Sequence, residues 1–422
     1  MGDGGSGAAL CEKESGASRR TASHDCIPPA VCQMEIGLIT GDQDGHYPAS
    51  LALALAAKGV LLDVIGSERV DGPQMHADAR LRFFKLYNNL QGASTSSKVK
   101  RILAFYTGLI RYVWTAKPKV LHVIWNYKLQ FFDRTLLMLY YKFLRKKIVL
   151  TVHNVNAGRR DGKDSLLNRL TLKFQYRLAD HLFVHTGKMK SELLKQFHIR
   201  ETAVTVIPHG INSAVPNTNL TSRQAKRHLG ICESERTILF FGAIRPYKGL
   251  EYLVAAFQQA TARLSNLRLI IAGARKKGSE EYLSDIERII DRDPSRTQVL
   301  QKIDFIPDDE TELYFKAADV AVLPYTEIFQ SGVLFLAYSF GLPVIATDVG
   351  SFAEDIVEGK TGFVCRPCDS ADLAAAIQKY FESDLYRELE IQRAQIRDYA
   401  LSRNSWDLVA DMTLDIYAKL LL

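Results

Sequence analysis

Two cations three residues apart open an apolar, helix-like segment in the second half of the chain. In the run RPYKGLEYLVAAF, Arg245 and Lys248 precede Leu250, Leu253, Val254 and Phe257, whose spacing is that of one helix face. A guanidinium offers planar paired hydrogen bonds and an ammonium a point charge, so the pair beside a helix start suits a diphosphate. A solvated pair at a helix start is the plain alternative. A second such place lies in YTEIFQSGVLFLAYSFGLPVIATDVG, residues 325–350, where a small polar cluster precedes a helix-sized apolar segment. Gln330, Ser331, Gly332 and Val333 stand at the expected first turn. Its free N–H groups, the Gln330 amide and the Ser331 hydroxyl could hold a phosphate or sugar hydroxyls, with Gly332 permitting close approach. Otherwise Ser331 only caps a core helix. In TVHNVNAGRRD, His153 and Asn154 close an apolar run that reads as a buried strand.

These residues need a scaffold, and the pattern of the chain supplies one. From Glu35, EIGLIT, YPASLALALAAKG and VLLDVIG form a strand, helix, strand unit. VLHVIW, a helix over 130–145, KIVLTVH, a helix over 164–179, HLFVHT, a short helix and VTVIPHG continue it. The connection NSAVPNTNLTS at 212–222 interrupts the pattern. It restarts with TILFFGAI, GLEYLVAAFQQATARL, LRLIIAG, a helix, IDFIP, ETELYFKAAD, VAVLP, the 325–350 stretch and PVIAT. The expected fold is α/β, with two Rossmann-like doubly wound domains over 34–212 and 213–395. A disordered tail over 1–33 precedes them, and a C-terminal helix over 396–422 crosses back to the first domain. Open sheets of this kind bind ligands beyond the carboxyl ends of their strands, so the site should lie between the domains, with His153 and Asn154 facing it.

Composition narrows the class of protein. At 422 residues, 47% apolar and 24% charged, the chain suits a soluble globular enzyme. A net charge of +7 gives little support to nucleic-acid binding and leaves anionic small molecules or lipid head groups as partners. The six cysteines do not make a secreted disulfide framework, which points to the cytoplasm. Cys365 and Cys368 have metal-like spacing but no second pair, so they read as a turn after a strand and no metal site is expected. RILAFYTGLIRYVWTAKPK and LQFFDRTLLMLYYKFLRKK mix aromatic and aliphatic residues with terminal cations. Either they are core crossover helices, or they touch the inner face of the membrane as interfacial helices do.

The runs VIPHGIN, FFGAIRPYKGLEYLVAAF, LRLIIAG, ADVAVLPY and GLPVIATDVGSFAEDIVEGKTGFV, in this order, resemble glycosyltransferases of GT-B fold, family 4 type. The resemblance covers about residues 34–400. It implies retaining transfer of a sugar from a nucleotide-diphosphate sugar to an acceptor hydroxyl. The acceptor would be a glycan or, if the two helices above touch the membrane, lipid-linked, and no cofactor or metal is expected because Arg245 and Lys248 can supply the charge. Arg245 and Lys248 would then bind the donor diphosphate and stabilise the departing nucleotide, and His153 would touch the donor sugar. Gly242, Glu327 and residues Gln330 to Val333 would complete the donor site. The first loop, with Gly41, Asp42, Gly45 and His46, together with Asn154, would lie near phosphates and acceptor. Asp42 is either a base for the acceptor hydroxyl or a turn former, and His209 either reaches the cleft or packs at the hinge. Family members carry two glutamates separated by seven residues. The second position falls on Leu336, which accepts no ribose hydrogen bond, and Glu327 is one residue out of step with the first. A sugar-nucleotide epimerase, a phosphorylase and a non-catalytic sugar-nucleotide-binding subunit are the alternatives.

Overall fold

In the computed structural model, residues 34–87, 94–160, 162, 164–211 and 215–422 are described. Among them the alternating pattern forms two parallel sheets. The first contains β1 (Glu35–Gly41), β2 (Leu61–Ser67), β3 (Leu81–Tyr87), β4 (Val120–Val123), β5 (Lys147–Val152), β6 (His181–Val184) and β7 (Val204–Val206), in the order β3-β2-β1-β4-β5-β6-β7. The second contains β8 (Arg236–Phe241), β9 (Leu267–Ala272), β10 (Val299–Lys302), β11 (Val320–Leu323), β12 (Val344–Thr347) and β13 (Gly362–Cys365), in the order β10-β9-β8-β11-β12-β13. Strand order reverses between β1 and β4 and again between β8 and β11, which opens a crevice beyond the strand ends at both points.

Both faces of the first sheet are covered, which is why its central strands are continuous Val, Ile and Leu runs. On one face, helices Thr95–Thr115, Leu136–Phe143, Leu166–Leu178 and Gly187–Phe197 pack through Leu109, Met138, Leu172 and Leu193. On the other, helices His46–Ala57 and Trp406–Leu421 pack through Leu51, Leu55, Val409 and Tyr417. The last helix therefore belongs to the core of the first half, and the chain crosses between the halves twice. The crossings are fastened together. Ile211 N–H donates to the Asn404 carbonyl at 3.0 Å, Asn404 Nδ2 to the His209 carbonyl at 2.9 Å, and Trp406 Nε1 to the Ile211 carbonyl at 2.7 Å. Gly210 makes this possible, since a Cβ there would lie 2.3 Å from the Trp406 ring.

Three local expectations need correction. The strand expected at IDFIP is instead Val299–Lys302, because β9 ends at Ala272 and leaves Ile303–Ile306 nothing to pair with. The helix expected over 130–145 is two, Gln130–Arg134 and Leu136–Phe143; at the break the Thr135 hydroxyl donates to the Phe131 carbonyl at 2.6 Å. Strand β3 escaped notice because it is a half-exposed edge, with Arg82 and Lys85 interrupting its apolar residues. The expected tail over 1–33 lies outside the described residues, as do 212–214, where the domain boundary was expected.

The returning helix is anchored by a buried contact. Tyr417 Oη lies 2.5 Å from His122 Nδ1, and His122 Nε2 lies 2.7 Å from Thr151 Oγ1. Tyr417→Phe leaves one buried imidazole nitrogen without a partner, so it should lower unfolding free energy by about 1–3 kcal/mol in urea titration.

Candidate active site

Parallel strands point their carboxyl ends the same way, and the residues just past those ends form a cavity of 370 Å³ between the halves. Trp125 follows β4, His153 and Asn154 follow β5, His185 follows β6, and His209 and Gly210 follow β7. From the second half come Tyr247 and Lys248 after β8, Tyr325 after β11, and Gln330 to Val333 at the start of helix Gly332–Ser339. Asp44, His46, Tyr47 and Ser50 close one side, and Trp406 lines the hinge.

A relay of hydrogen bonds sets the chemistry of the first wall. His185 Nδ1 lies 3.3 Å from the Ile207 carbonyl, which only accepts, so that nitrogen carries the proton. His185 Nε2 is then an acceptor, 3.1 Å from His153 Nδ1, which must donate to it. His153 Nε2 is left as an unprotonated lone pair, buried and with no partner among the described residues. Trp125 stacks on the His153 ring at 3.8 Å and Tyr47 meets it edge-on at 4.7 Å, so the ring cannot turn freely. Burial holds the His153 pKa well below the ordinary histidine range, with His185 and His209 adding to the effect. Burial likewise pushes His185 down to about 3. These imidazoles are neutral hydrogen-bonding groups at physiological pH.

The second wall offers charge. Lys248 is buried, and its ammonium sits 5.1 Å from the centre of the Tyr325 ring. Gly242, at φ +101°, gives it room, since a Cβ there would meet Lys248 Nζ at 2.9 Å. Ser331 caps the adjoining helix by accepting from Val333 N–H at 3.3 Å. Among the described residues nothing stands within 4 Å of where a Gly332 side chain would begin, so the first turn is open. The Gln330 side-chain amide oxygen, Oε1, is buried with no partner among the described residues, suited to accept from a hydroxyl.

Of the residues singled out from sequence, Lys248, His153, Asn154, His46, Gln330, Ser331, Gly332 and Val333 line this cavity together. Arg245 does not; it precedes the 3-10 turn Pro246–Lys248 that carries Lys248 inward. The helix start behind that turn is also taken, because Leu250 N–H donates to Tyr282 Oη at 3.0 Å. Asp42 is held in ion pairs with Lys128 at 3.0 Å and Arg69 at 3.5 Å. Gly41 and Gly45 serve backbone packing, against Trp125 and the Arg69 carbonyl respectively. Glu327 is exposed and outside the lining. Ile328 and Leu336 reach the cavity with apolar side chains. His209 does both things expected of it, lining the cavity and stacking on Phe335 across the hinge at 5.3 Å. Tyr47, Trp125, His185 and Trp406 were missed; His185 ends a strand just as His153 does, and that rule would have found it. His46 also bridges the halves, 3.3 Å from Asp308.

Comparison with known proteins agrees with this architecture. The family description "Glycosyl transferases group 1" matches residues 235–383, and "Glycosyltransferase Family 4" matches residues 45–215. An uncharacterised glycosyltransferase of Methanocaldococcus jannaschii is 27% identical over 285 residues, 65% of this chain and 69% of that one. D-inositol 3-phosphate glycosyltransferase of Corynebacterium diphtheriae is 24% identical over 378 residues, 83% and 84% of the two chains. The structure of sucrose-phosphate synthase from Thermosynechococcus elongatus matches with a TM-score of 0.73 at 19% identity, over 92% of this chain and 99% of that one. Anabaena HepE in complex with UDP-glucose matches with a TM-score of 0.70 at 16% identity, over 92% and 100%. At such identities the structural likeness establishes the fold, GT-B, and no more.

The buried histidines carry a testable cost. In an unfolded chain they would bind protons near the ordinary histidine value of 6.5, whereas His122 and His185 in the fold resist protonation down to about 3. Between those values the unfolded state holds more protons, so stability falls as pH falls. His46 acts oppositely: its hydrogen bond to Asp308 raises its pKa, and the stabilisation it contributes is lost as pH rises through that value. With one histidine opposing several, urea midpoints should drop steadily from about pH 7 to about pH 4.5, and a flat profile would contradict the buried neutral assignment.

Proposed function

The chain belongs to the group 1, family 4 glycosyltransferases, and we propose that it moves a sugar from a nucleoside-diphosphate sugar held in the interdomain cavity to a hydroxyl of a glycan or lipid-linked acceptor. The reaction serves polysaccharide or glycolipid assembly in the cytoplasm and retains the anomeric configuration. The observation that carries this reading is one cavity holding both a buried ammonium, Lys248, and an oriented imidazole acceptor, His153 Nε2. As the bond from the anomeric carbon to the phosphate oxygen lengthens, the electron pair moves onto the diphosphate. Lys248 and the open turn at Gly332 stabilise that charge where little water screens it. His153 Nε2 and the Gln330 side-chain Oε1 accept from sugar hydroxyls and fix the ring's orientation. No metal is invoked.

The second reading, a non-catalytic sugar-nucleotide-binding subunit, is favoured by one feature. Leu336 lines the cavity at the position where relatives of this type carry the ribose-binding glutamate. Such a protein would bind nucleotide sugar and turn none over.

Thermal unfolding with UDP-, GDP-, ADP- and dTDP-sugars should single out one donor, UDP-sugars first, because HepE was crystallised with UDP-glucose. At a concentration about 100 times the Kd the gain is about 2.7 kcal/mol. Lys248→Ala should abolish it and Arg245→Ala should weaken it less. No stabilisation by any of the four would remove the donor assignment.

With the donor known, His185→Phe should slow turnover by about fivefold to a hundredfold while leaving nucleotide binding intact, since it frees the His153 tautomer. His185→Gln, which keeps an acceptor, should recover part of the rate. Equal turnover in all three proteins would show that the relay plays no part.

A further inference from the structure

The outer surface of the first half is unlike the rest of the molecule. Of the twenty large apolar side chains that stand exposed among the described residues, thirteen lie between Val99 and Phe174. They are arranged as stripes. Val99, Leu103, Ile110 and Trp114 follow one another along helix Thr95–Thr115, on the flank next to the face that carries the core residues Phe105, Leu109 and Val113. Leu136, Leu139 and Phe143 do the same on helix Leu136–Phe143, and Leu166, Leu170 and Phe174 on helix Leu166–Leu178. The helices are neighbours: Tyr140 Oη donates to the Ile110 carbonyl at 2.9 Å, helix Leu136–Phe143 packs beside helix Leu166–Leu178, and Arg134, on the short helix Gln130–Arg134 just before them, donates to Asn168 Oδ1 at 2.8 Å. Trp114 is 65% exposed, Phe143 76% and Leu166 75%, and exposed apolar side chains gathered on neighbouring helices mark an interaction surface.

The charge of the same segment identifies that partner. From Lys98 to Asp180 the chain has eighteen lysines and arginines against four aspartates, although its net charge is only +7. The overall figure thus hides a segregation of sign. Three of the four aspartates do not offset the surface: Asp133 is buried beneath Tyr106, Asp164 is paired with Arg169 at 2.7 Å, and Asp180 with Lys142 at 2.7 Å. Exposed Lys100, Arg111 and Arg145 stand beside the stripes, and Arg159 and Lys173 line an open groove that Leu170 also borders. Apolar side chains that can enter an acyl layer, ringed by cations at head-group height, are complementary to an anionic bilayer. No helix among the described residues is long and apolar enough to cross a membrane, so this contact lies on the surface.

We propose that the outer face of helices Thr95–Thr115, Leu136–Phe143 and Leu166–Leu178 docks the protein on an anionic phospholipid membrane. The face is separate from the cavity and does not depend on what the cavity binds.

The test uses the full chain with vesicles of phosphatidylcholine alone and of phosphatidylcholine mixed with phosphatidylglycerol, separated by centrifugation. The parent should pellet with the mixed vesicles and less as salt rises. Trp114→Ser, Phe143→Ser and Leu170→Ser together should cut the bound fraction about tenfold or more. Lys100→Gln, Arg111→Gln and Arg145→Gln together should remove the preference for phosphatidylglycerol. These positions are exposed, so both variants should melt like the parent in solution, and nucleotide-sugar stabilisation should be unchanged in each. Trp114 fluorescence should shift to the blue on mixed vesicles, and the shift should vanish in Trp114→Phe. A parent that stays in the supernatant, or an apolar variant that pellets as well as the parent, would overturn the proposal. So would a parent dimer that the apolar variant converts to monomer, because the face would then belong to a second copy of the chain.

Discussion

The two sheets share a cavity because the chain passes between them twice and is fastened where it passes. Trp406 presses its indole against Gly210 and donates to the Ile211 carbonyl, while Asn404 holds the carbonyl of His209. That junction fixes where the ends of β4 to β7 stand relative to those of β8 and β11. It also places the aromatic side of the hinge inside the cavity, since Trp406 and His209 both line it. A side chain at 210 would drive the indole away and loosen both crossings together.

Within that frame, burial does most of the chemical selection. Removing imidazoles from water disfavours their charged form, so the first wall presents neutral acceptors rather than cations. The second wall keeps one cation, Lys248, which an aromatic face and a glycine without a Cβ accommodate. Oriented neutral acceptors on one side and a confined positive charge on the other suit a ligand that is hydroxylated at one end and anionic at the other. His46 and Asp308 add a bridge across the opening whose strength depends on protonation.

The outer layer of the first half obeys a different constraint. Its helices must cover the sheet with one face, and buried Leu109, Met138 and Leu172 do so. The opposite face is free to be polar, yet it carries aromatic and aliphatic stripes among a dense set of cations. Helices that are apolar on both sides bury one side in the core and leave the other in need of a nonaqueous neighbour.

Much of the architecture was legible in the sequence, because strand and helix periods are local properties and the parallel alternation appears twice. The glycine, proline and cation spacing of the second half also marks Lys248 and the turn at Gln330 to Val333. What was not legible depends on contacts between distant segments. Nothing local says that Thr135 breaks a helix, that β10 stops where its neighbour β9 ends, or that β3 is an edge. Nothing local says that Asp42 is neutralised by Lys128, which lies far along the chain, or that Arg245 stays outside the lining while Lys248 turns in. The histidine relay is the clearest case. Sequence places His153 and His185 at the ends of two strands, but only the pairing of β5 with β6, and the Ile207 carbonyl beyond them, decides which nitrogen holds a proton. The sequence by itself determined the periodicities, the charges and the residues available for chemistry. The tertiary structure alone decided which of them meet, because meeting depends on register, crossing and burial, and these arise only when the whole chain is packed.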